Sequence, residues 1–234
     1  YARVTSVVGT TLNLSNVNES DDTFEAGDEI IIYQTQDDVI GSNIGDNSSF
    51  GNLNSIQSAG LYEILIINSV NESGGIPTSI TVAAAPKNSY NTGSNSRLQI
   101  ITFPTFGSPD FTTNASLNPR NWNGNRGGVL AFQVNGTLTL AHDISANGAG
   151  FRGGDVNAGG AAGCSGGVNY RLSSSANFAD KGEGIYRSTN VLYEAGQGKI
   201  LNGGGGGNYH NSGGGGGSNV GSGTYTGDGN PSPG

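Results

Sequence analysis

Glycine is the residue that most limits what this chain can become. Of 234 residues, 42 are glycine, about 18 %, against a usual background of roughly 7 %. Ten lie in residues 1–117 and 32 in residues 118–234. A glycine has no side chain to bury and loses more backbone entropy on ordering than any other residue. The second half therefore cannot build an ordinary apolar core. Its order must come from main-chain hydrogen bonds and close backbone approach. The break in composition divides the chain into an all-β N-terminal domain, 1–117, and a β-helix-like and glycine-rich region, 118–234.

The first part reads as short strands: Arg3–Val8, Thr11–Leu14, Glu29–Gln34, Tyr62–Val70, Ser79–Ala83 and Arg97–Phe103. Gly9-Thr10 joins the first two as a hairpin. Turn-rich stretches, among them Asp37–Asn54, separate the others. No segment carries the i, i+3, i+4, i+7 pattern of a long amphipathic helix. The run Ile30-Ile31-Ile32-Tyr33 is apolar on both faces, which places that strand inside two layers or at a sheet–sheet interface. A β-sandwich or barrel-like unit is the expected architecture. Val4-Thr5-Ser6-Val7 followed by Leu12–Leu14 echoes Ile67-Asn68-Ser69-Val70 followed by Ser79–Val82, which points to a shared hairpin design.

Residues 107–128 form a polar connector ending at Trp122. A lone tryptophan in such a place is a buried seal between two parts, with a sugar-stacking surface as the alternative. Val129–Val134, Thr137–Leu140 and Asp143–Ala146 are short and closely spaced, broken by Asn135-Gly136. Such spacing suits stacked β-helix coils, with a β-meander as the competitor.

Beyond residue 148 a ten-residue repeat stands out. Gly203, Gly204, Gly205, Gly206 and Gly207 precede Asn208–Ser212. Gly213, Gly214, Gly215, Gly216 and Gly217 precede Ser218–Ser222. Such tracts make either flexible linkers or extended three-residue-per-turn rods that neighbouring rods can approach from every side. Equal tract lengths favour the rods, a polyglycine-II-like layer. Phe151 and Arg152 are placed to anchor it.

Net charge is −8, which argues against nucleic acid and anionic membrane surfaces as partners. No apolar run reaches the length of a membrane span. The lone Cys164 cannot form an internal disulfide. Low lysine content and abundant Asn, Ser and Thr suit an exported protein. No signal peptide opens the sequence, and the ending Gly229–Gly234 reads as mid-protein. A mature or excised piece of a longer exported polypeptide is expected.

Catalytic signatures are sparse. Gly148–Gly153 matches GxGxxG, yet the Asp155–Gly160 stretch after it cannot start the helix that nucleotide binding requires. His142 and Asp143 are neighbours on an expected strand and point to opposite faces. Cys164 has no sequence-local base to activate it. His210, beside Tyr209, reads as a turn residue. A glycosidase would need two convergent carboxylates about 5–9.5 Å apart, and acidic residues near aromatics are few. Asp21, Asp22, Asp37, Asp38 and Asp46 cluster in turns. Solvated acidic turns are the simple reading and a calcium site the alternative. No other cofactor is expected, and no enzyme activity.

Several segments resemble a known group of proteins. Phe24–Gln34 carries an AGDE strand opening. Phe50–Leu53 and Ala59–Glu63 follow, then Trp122-Asn123-Gly124 leading to Gly127–Phe132. Lys181–Ile185 and the repeat 202–221 complete the order. This is similar to the glycine-rich N-terminal region of large Bacteroidota cell-surface proteins exported by type IX secretion, some relatives of which are gliding-motility adhesins. No sorting domain is present. The resemblance implies an extracellular, outer-membrane-associated protein that is not an enzyme: a module of a surface adhesin or filament. Its partners would be other domains of a longer chain or copies of itself, a surface glycan, and the secretion machinery during export. A carbohydrate-binding module and a self-assembling extracellular fibre subunit are the rival readings.

Overall fold

The computed structural model describes residues 1–39, 41–52, 56–155, 169–173, 179–188, 190–207, 214–215 and 217. The expectations for Gly213, Gly216, Cys164, Tyr209 and His210 lie outside the described residues. The chain falls into two compact units. One comprises Tyr1–Thr35 and Gly60–Gly150; the other comprises Gln36–Ala59 and Phe151–Gly234.

The first unit contains six main strands: β1 (Ala2–Val8), β2 (Thr11–Ser15), β3 (Glu29–Gln36, its last residue assigned to the second unit), β4 (Tyr62–Ser73), β5 (Ile76–Val82) and β6 (Arg97–Thr102). They close into a barrel in the order β1-β2-β5-β4-β3-β6. Neighbouring strands run antiparallel, and no α-helix occurs among the described residues. Successive strand residues point to opposite faces, and one set fills the inside. Val4, Leu12, Ile30, Ile32, Ile67, Ile80, Leu98 and Ile100 are all at most 1 % exposed. With Ala2, Phe24, Leu65 and Val82 they form one cluster. The all-β, barrel-like expectation therefore holds for this part.

The barrel repeats itself. β1–β2 carries a register break between Val4 and Ser6, and β4–β5 carries one between Ile67 and Ser69. At each of these breaks one extra residue, Thr5 or Asn68, bulges out, which bends the strand and sharpens its twist; β4–β5 carries a second break, between Asn71 and Glu72, that β1–β2 lacks. If Val4 is laid on Ile67, then Leu12 falls on Ile80. Those two residues face each other at the middle of the β2–β5 ladder, flanked by Thr11↔Thr81 and Asn13↔Ser79. The same operation carries β1–β6 (Ala2↔Ile100) onto β4–β3 (Leu65↔Ile30). The barrel is thus two three-strand halves around a local twofold axis at Leu12 and Ile80.

The outer face of β6 is covered by a later stretch of the same unit. Gln99, fully buried, donates from Nε2 to Thr35 Oγ1 (2.7 Å) and to the Gly127 carbonyl (3.2 Å), and accepts from the Gly127 N–H (2.8 Å). Arg97 donates from Nε to the Gly124 carbonyl at 2.7 Å. Trp122 is 5 % exposed, and its N–H donates to the Ala149 carbonyl (2.8 Å).

Residues 104–149 pair in parallel at long range. β7 (Thr105–Phe106) pairs with β9 (Gln133–Val134), and β8 (Phe111–Thr112) pairs with β10 (Leu138–Thr139). Leu117 bridges Ile144 in the same sense. Partners are 28 residues apart at Thr105↔Gln133 and 27 apart at Phe111↔Leu138 and Leu117↔Ile144. The strands flanking Asn135-Gly136 do not pair with each other, so the β-meander alternative is not what forms. Phe106 stacks on Phe111, with centroids 4.7 Å apart and planes at 18°, and lies 5.6 Å from Phe132.

The second unit is held by main-chain and side-chain ties. The stretch Asp37–Asn54, read from sequence as turn-rich, is tied through described residues of it and its flanks to later residues of this unit. Gln36 donates from Nε2 to the Gly184 carbonyl (2.7 Å). Asp37 is 1 % exposed and bridges Tyr186 in parallel. Phe50 meets Tyr193, on the short 3-10 turn Val191–Tyr193, edge to face at 5.3 Å. The Leu201 N–H donates to the Gly51 carbonyl at 2.9 Å. Gly51 has φ +71°, and a Cβ there would collide with the Lys199 carbonyl oxygen.

Gly203–Gly207 are buried. The Gly182 N–H donates to Gly204 (3.0 Å), Gly206 donates to Gly196 (2.9 Å), and Gly215 donates to Gly205 (2.9 Å). A Cβ on Gly204 would stand 2.6 Å from the Gly215 carbonyl, and one on Gly203 would stand 2.7 Å from the Gly182 carbonyl. These separations are available only to backbone without side chains.

Candidate functional site

Of the carboxylates singled out in the sequence, Asp21, Asp22, Asp37 and Asp46 each hold a nearby donor. Asp21 forms a two-point ion pair with Arg120, both contacts at 2.5 Å. That guanidinium holds the Asp21 carboxyl below its ordinary range. Asp22 accepts from the Thr23 N–H at 3.1 Å. Buried Asp37 accepts from the Asp38 N–H (2.7 Å), the Ser58 N–H (3.1 Å) and the Ser58 hydroxyl. Asp38 is exposed. Asp46 accepts from the N–H groups of Tyr170 (2.7 Å) and Arg171 (3.1 Å), capping a turn of the second unit. Among the described residues no three His, Cys, Asp or Glu side chains are placed to hold a metal ion.

His142 lies in an exposed bend, and exposed Asp143 directly precedes the Ile144 bridge, so the two do not share the expected strand. The His142 main chain exchanges hydrogen bonds with the Thr113 hydroxyl (2.7 and 3.0 Å). Its imidazole has no hydrogen-bonding nucleophile or carboxylate among the described residues. Arg152 is bound to Glu183 through Nη2 (2.5 Å) and Nε (3.0 Å), while the Glu183 N–H donates to the Arg152 carbonyl. The Glu183 carboxylate raises the Arg152 guanidinium above its ordinary value. Phe151 is half-buried.

In the first unit a cleft of about 290 Å³ lies where β3 begins and β6 ends. Asp22, Asp28 and Glu29 line one side; Thr102, Phe103, Pro104 and Thr105 line the other. It is smaller than most small-molecule sites. Asp22 and Asp28 both spend an oxygen on nearby main-chain N–H groups, Asp28 on Glu25 at 2.9 Å. The cleft is acidic, with Phe103 as its one aromatic wall.

The most unusual electrostatic feature was not marked by any sequence motif. Lys181, in the second unit, turns its ammonium inward. Burial pulls it down from an ordinary 10.5 to about 7, with Asp46 opposing. Its Nζ donates to the carbonyls of Tyr170 (2.8 Å), Gly196 (2.6 Å) and Gly198, and lies 5.2 Å from the centre of the Phe50 ring. Carbonyls have no side-chain signature, so only the flanking Lys181-Gly182-Glu183-Gly184 pattern could have hinted at it.

Comparison with family models, with curated protein sequences and with solved structures finds no match to this chain.

Proposed function

We propose that this chain is a non-enzymatic structural module of a secreted cell-surface adhesin or surface filament, whose task is rigid display. The observation that carries the reading is the burial of Gly203–Gly207 among other main-chain segments, at separations that exclude any side chain. In this reading the two five-glycine tracts belong to a polyglycine-II-like layer, and residues 104–149 are two stacked coils of a β-helix. The parallel pairing at intervals of 27–28 residues supports the second point. Stacked coils and side-chain-free rods both hold their shape through repeated main-chain hydrogen bonds. That suits a part that must keep its form outside the cell without a disulfide.

The order of segments that resembles Bacteroidota surface proteins supports export and surface location, with the secretion machinery, neighbouring domains and other copies as partners. Amide hydrogen exchange tests the central claim. Gly204–Gly206 should exchange far more slowly than an unstructured chain; exchange at unstructured rates would remove the scaffold reading. Accessibility of the protein to antibody on intact cells of its own host tests the location. The acidic cleft beside Phe103 favours a carbohydrate-binding module as the second reading, and binding on a glycan array that Phe103→Ala abolishes would move it to first place.

A further inference from the structure

A primary ammonium has three N–H donors and no acceptor. Lys181 delivers them to the carbonyls of Tyr170, Gly196 and Gly198. The face of Phe50 closes another side at 5.2 Å, within the range at which a ring attracts a cation. Among the described residues no carboxylate lies within salt-bridge distance of the Lys181 Nζ, and Asp46 acts on it only at longer range.

The walls of the cage are also tied to one another through the main chain. Leu172 and Ala195 exchange N–H···O=C bonds (3.2 and 3.0 Å). The Gln197 N–H donates to Asn169 (3.0 Å), and the Gly198 N–H donates to Tyr170 (3.1 Å). Main-chain pairing thus brings residues 170 and 196–198 together. Gly196, at φ +94°, has its backbone in a region that L side chains rarely adopt. Converging carbonyl oxygens without a carboxylate suit a monovalent cation; divalent calcium is bound with carboxylates.

We propose that this cage is a monovalent-cation site which the protein fills with its own lysine. Once vacated, the site accepts potassium or a primary alkylammonium ion. Its role in the native chain is to neutralise the carbonyl dipoles where the glycine-bearing segments of the second unit converge.

The test uses the full chain and Lys181→Ala, which removes the equivalent of propylammonium. Thermal unfolding is followed at pH 6 in matched chloride salts of n-propylammonium, potassium and tetramethylammonium. The variant should melt below the wild type. Propylammonium and potassium should raise its melting temperature, tetramethylammonium should not, and the wild type should not distinguish the three. Equal melting of the variant in all three salts, or the same ranking in the wild type, overturns the proposal. If Lys181→Ala does not fold, nitrogen-15 spectra of the wild-type lysine side chains decide. The Lys181 NH3⁺ should exchange with water more slowly than that of the exposed Lys87, and equal exchange overturns the proposal.

Discussion

Leu12 and Ile80 face one another across the centre of the β2–β5 ladder, and both are fully buried. Around that pair the two halves of the barrel exchange places, each hairpin bringing its own bulge and its own inward aliphatics. The two residues occupy equivalent environments. Truncating either removes a similar volume from the same packed cluster.

Leu12→Ala and Ile80→Ala should therefore each destabilise the first unit by about 2–5 kcal/mol, the usual range for emptying a close-packed aliphatic site. The two losses should agree within about 1 kcal/mol of each other. Chemical denaturation of the two variants measures both quantities. A large loss at one position with none at the other would contradict the twofold relationship.

Gln99 holds both main-chain groups of Gly127 and the Thr35 hydroxyl from a fully buried position. Gln99→Ala leaves the Gly127 N–H and carbonyl without that partner inside the protein. Orphaned buried polar groups cost about 1–3 kcal/mol each, so a loss on the order of 3 kcal/mol is expected. The Gly127 amide should also lose most of its protection against hydrogen exchange. Unchanged protection at that amide would show that the Gln99 contact carries no weight.

Gly9 and Gly51 both have positive φ, yet their surroundings differ. At Gly9 a Cβ meets nothing within 4 Å, whereas at Gly51 it strikes the Lys199 carbonyl and comes within 2.9 Å of the Ile200 Cα. Gly9→Ala should cost only the left-handed backbone penalty of about 1–2 kcal/mol. Gly51→Ala should cost roughly 3 kcal/mol or more, because overpacking adds to that penalty. Denaturation midpoints of the pair decide the point, and equal midpoints would count against the tight approach of residues 51 and 199.

The pH dependence of stability should carry the mark of Lys181. Its ammonium lies at about 7 in the folded chain against an ordinary 10.5. Between those values the unfolded chain holds a proton that the folded chain has released, so stability rises as pH increases through this window. Below about 7 the cost of burying the charge is fully present. Lys181→Met should flatten the rise. Urea titrations of both proteins from pH 6 to pH 10 provide the comparison, and identical slopes would show that Lys181 titrates normally.

The barrel was largely legible in the sequence because its strands carry strong local signals. The run Ile30–Tyr33, the apolar cluster Ile64–Ile67 and the glycine turn at Gly9 mark β3, β4 and the first hairpin, although β3 and β4 extend two and three residues beyond the ends read from sequence. The pairing of β2 with β5 is not local, and nothing in either strand names its partner. The segment Asp37–Asn54 reads as turn-rich because its order comes from single long-range ties, such as Gly51 to Leu201 and Phe50 to Tyr193. Two-residue strands such as Thr105–Phe106 are too short to show a period, so their parallel partners 28 residues away left no trace. The Lys181 cage was invisible for a related reason: its walls are carbonyl oxygens, which every residue type possesses.

Closure of the six strands into a ring has an effect that reaches beyond the fold itself. An open sheet ends in a strand with unsatisfied main-chain groups, and such rims recruit stray peptides or seed amyloid. Here β1 is flanked on both sides, by β2 and β6, and the circuit has no last member. At high local density, many copies side by side can keep their rings from fusing strand to strand.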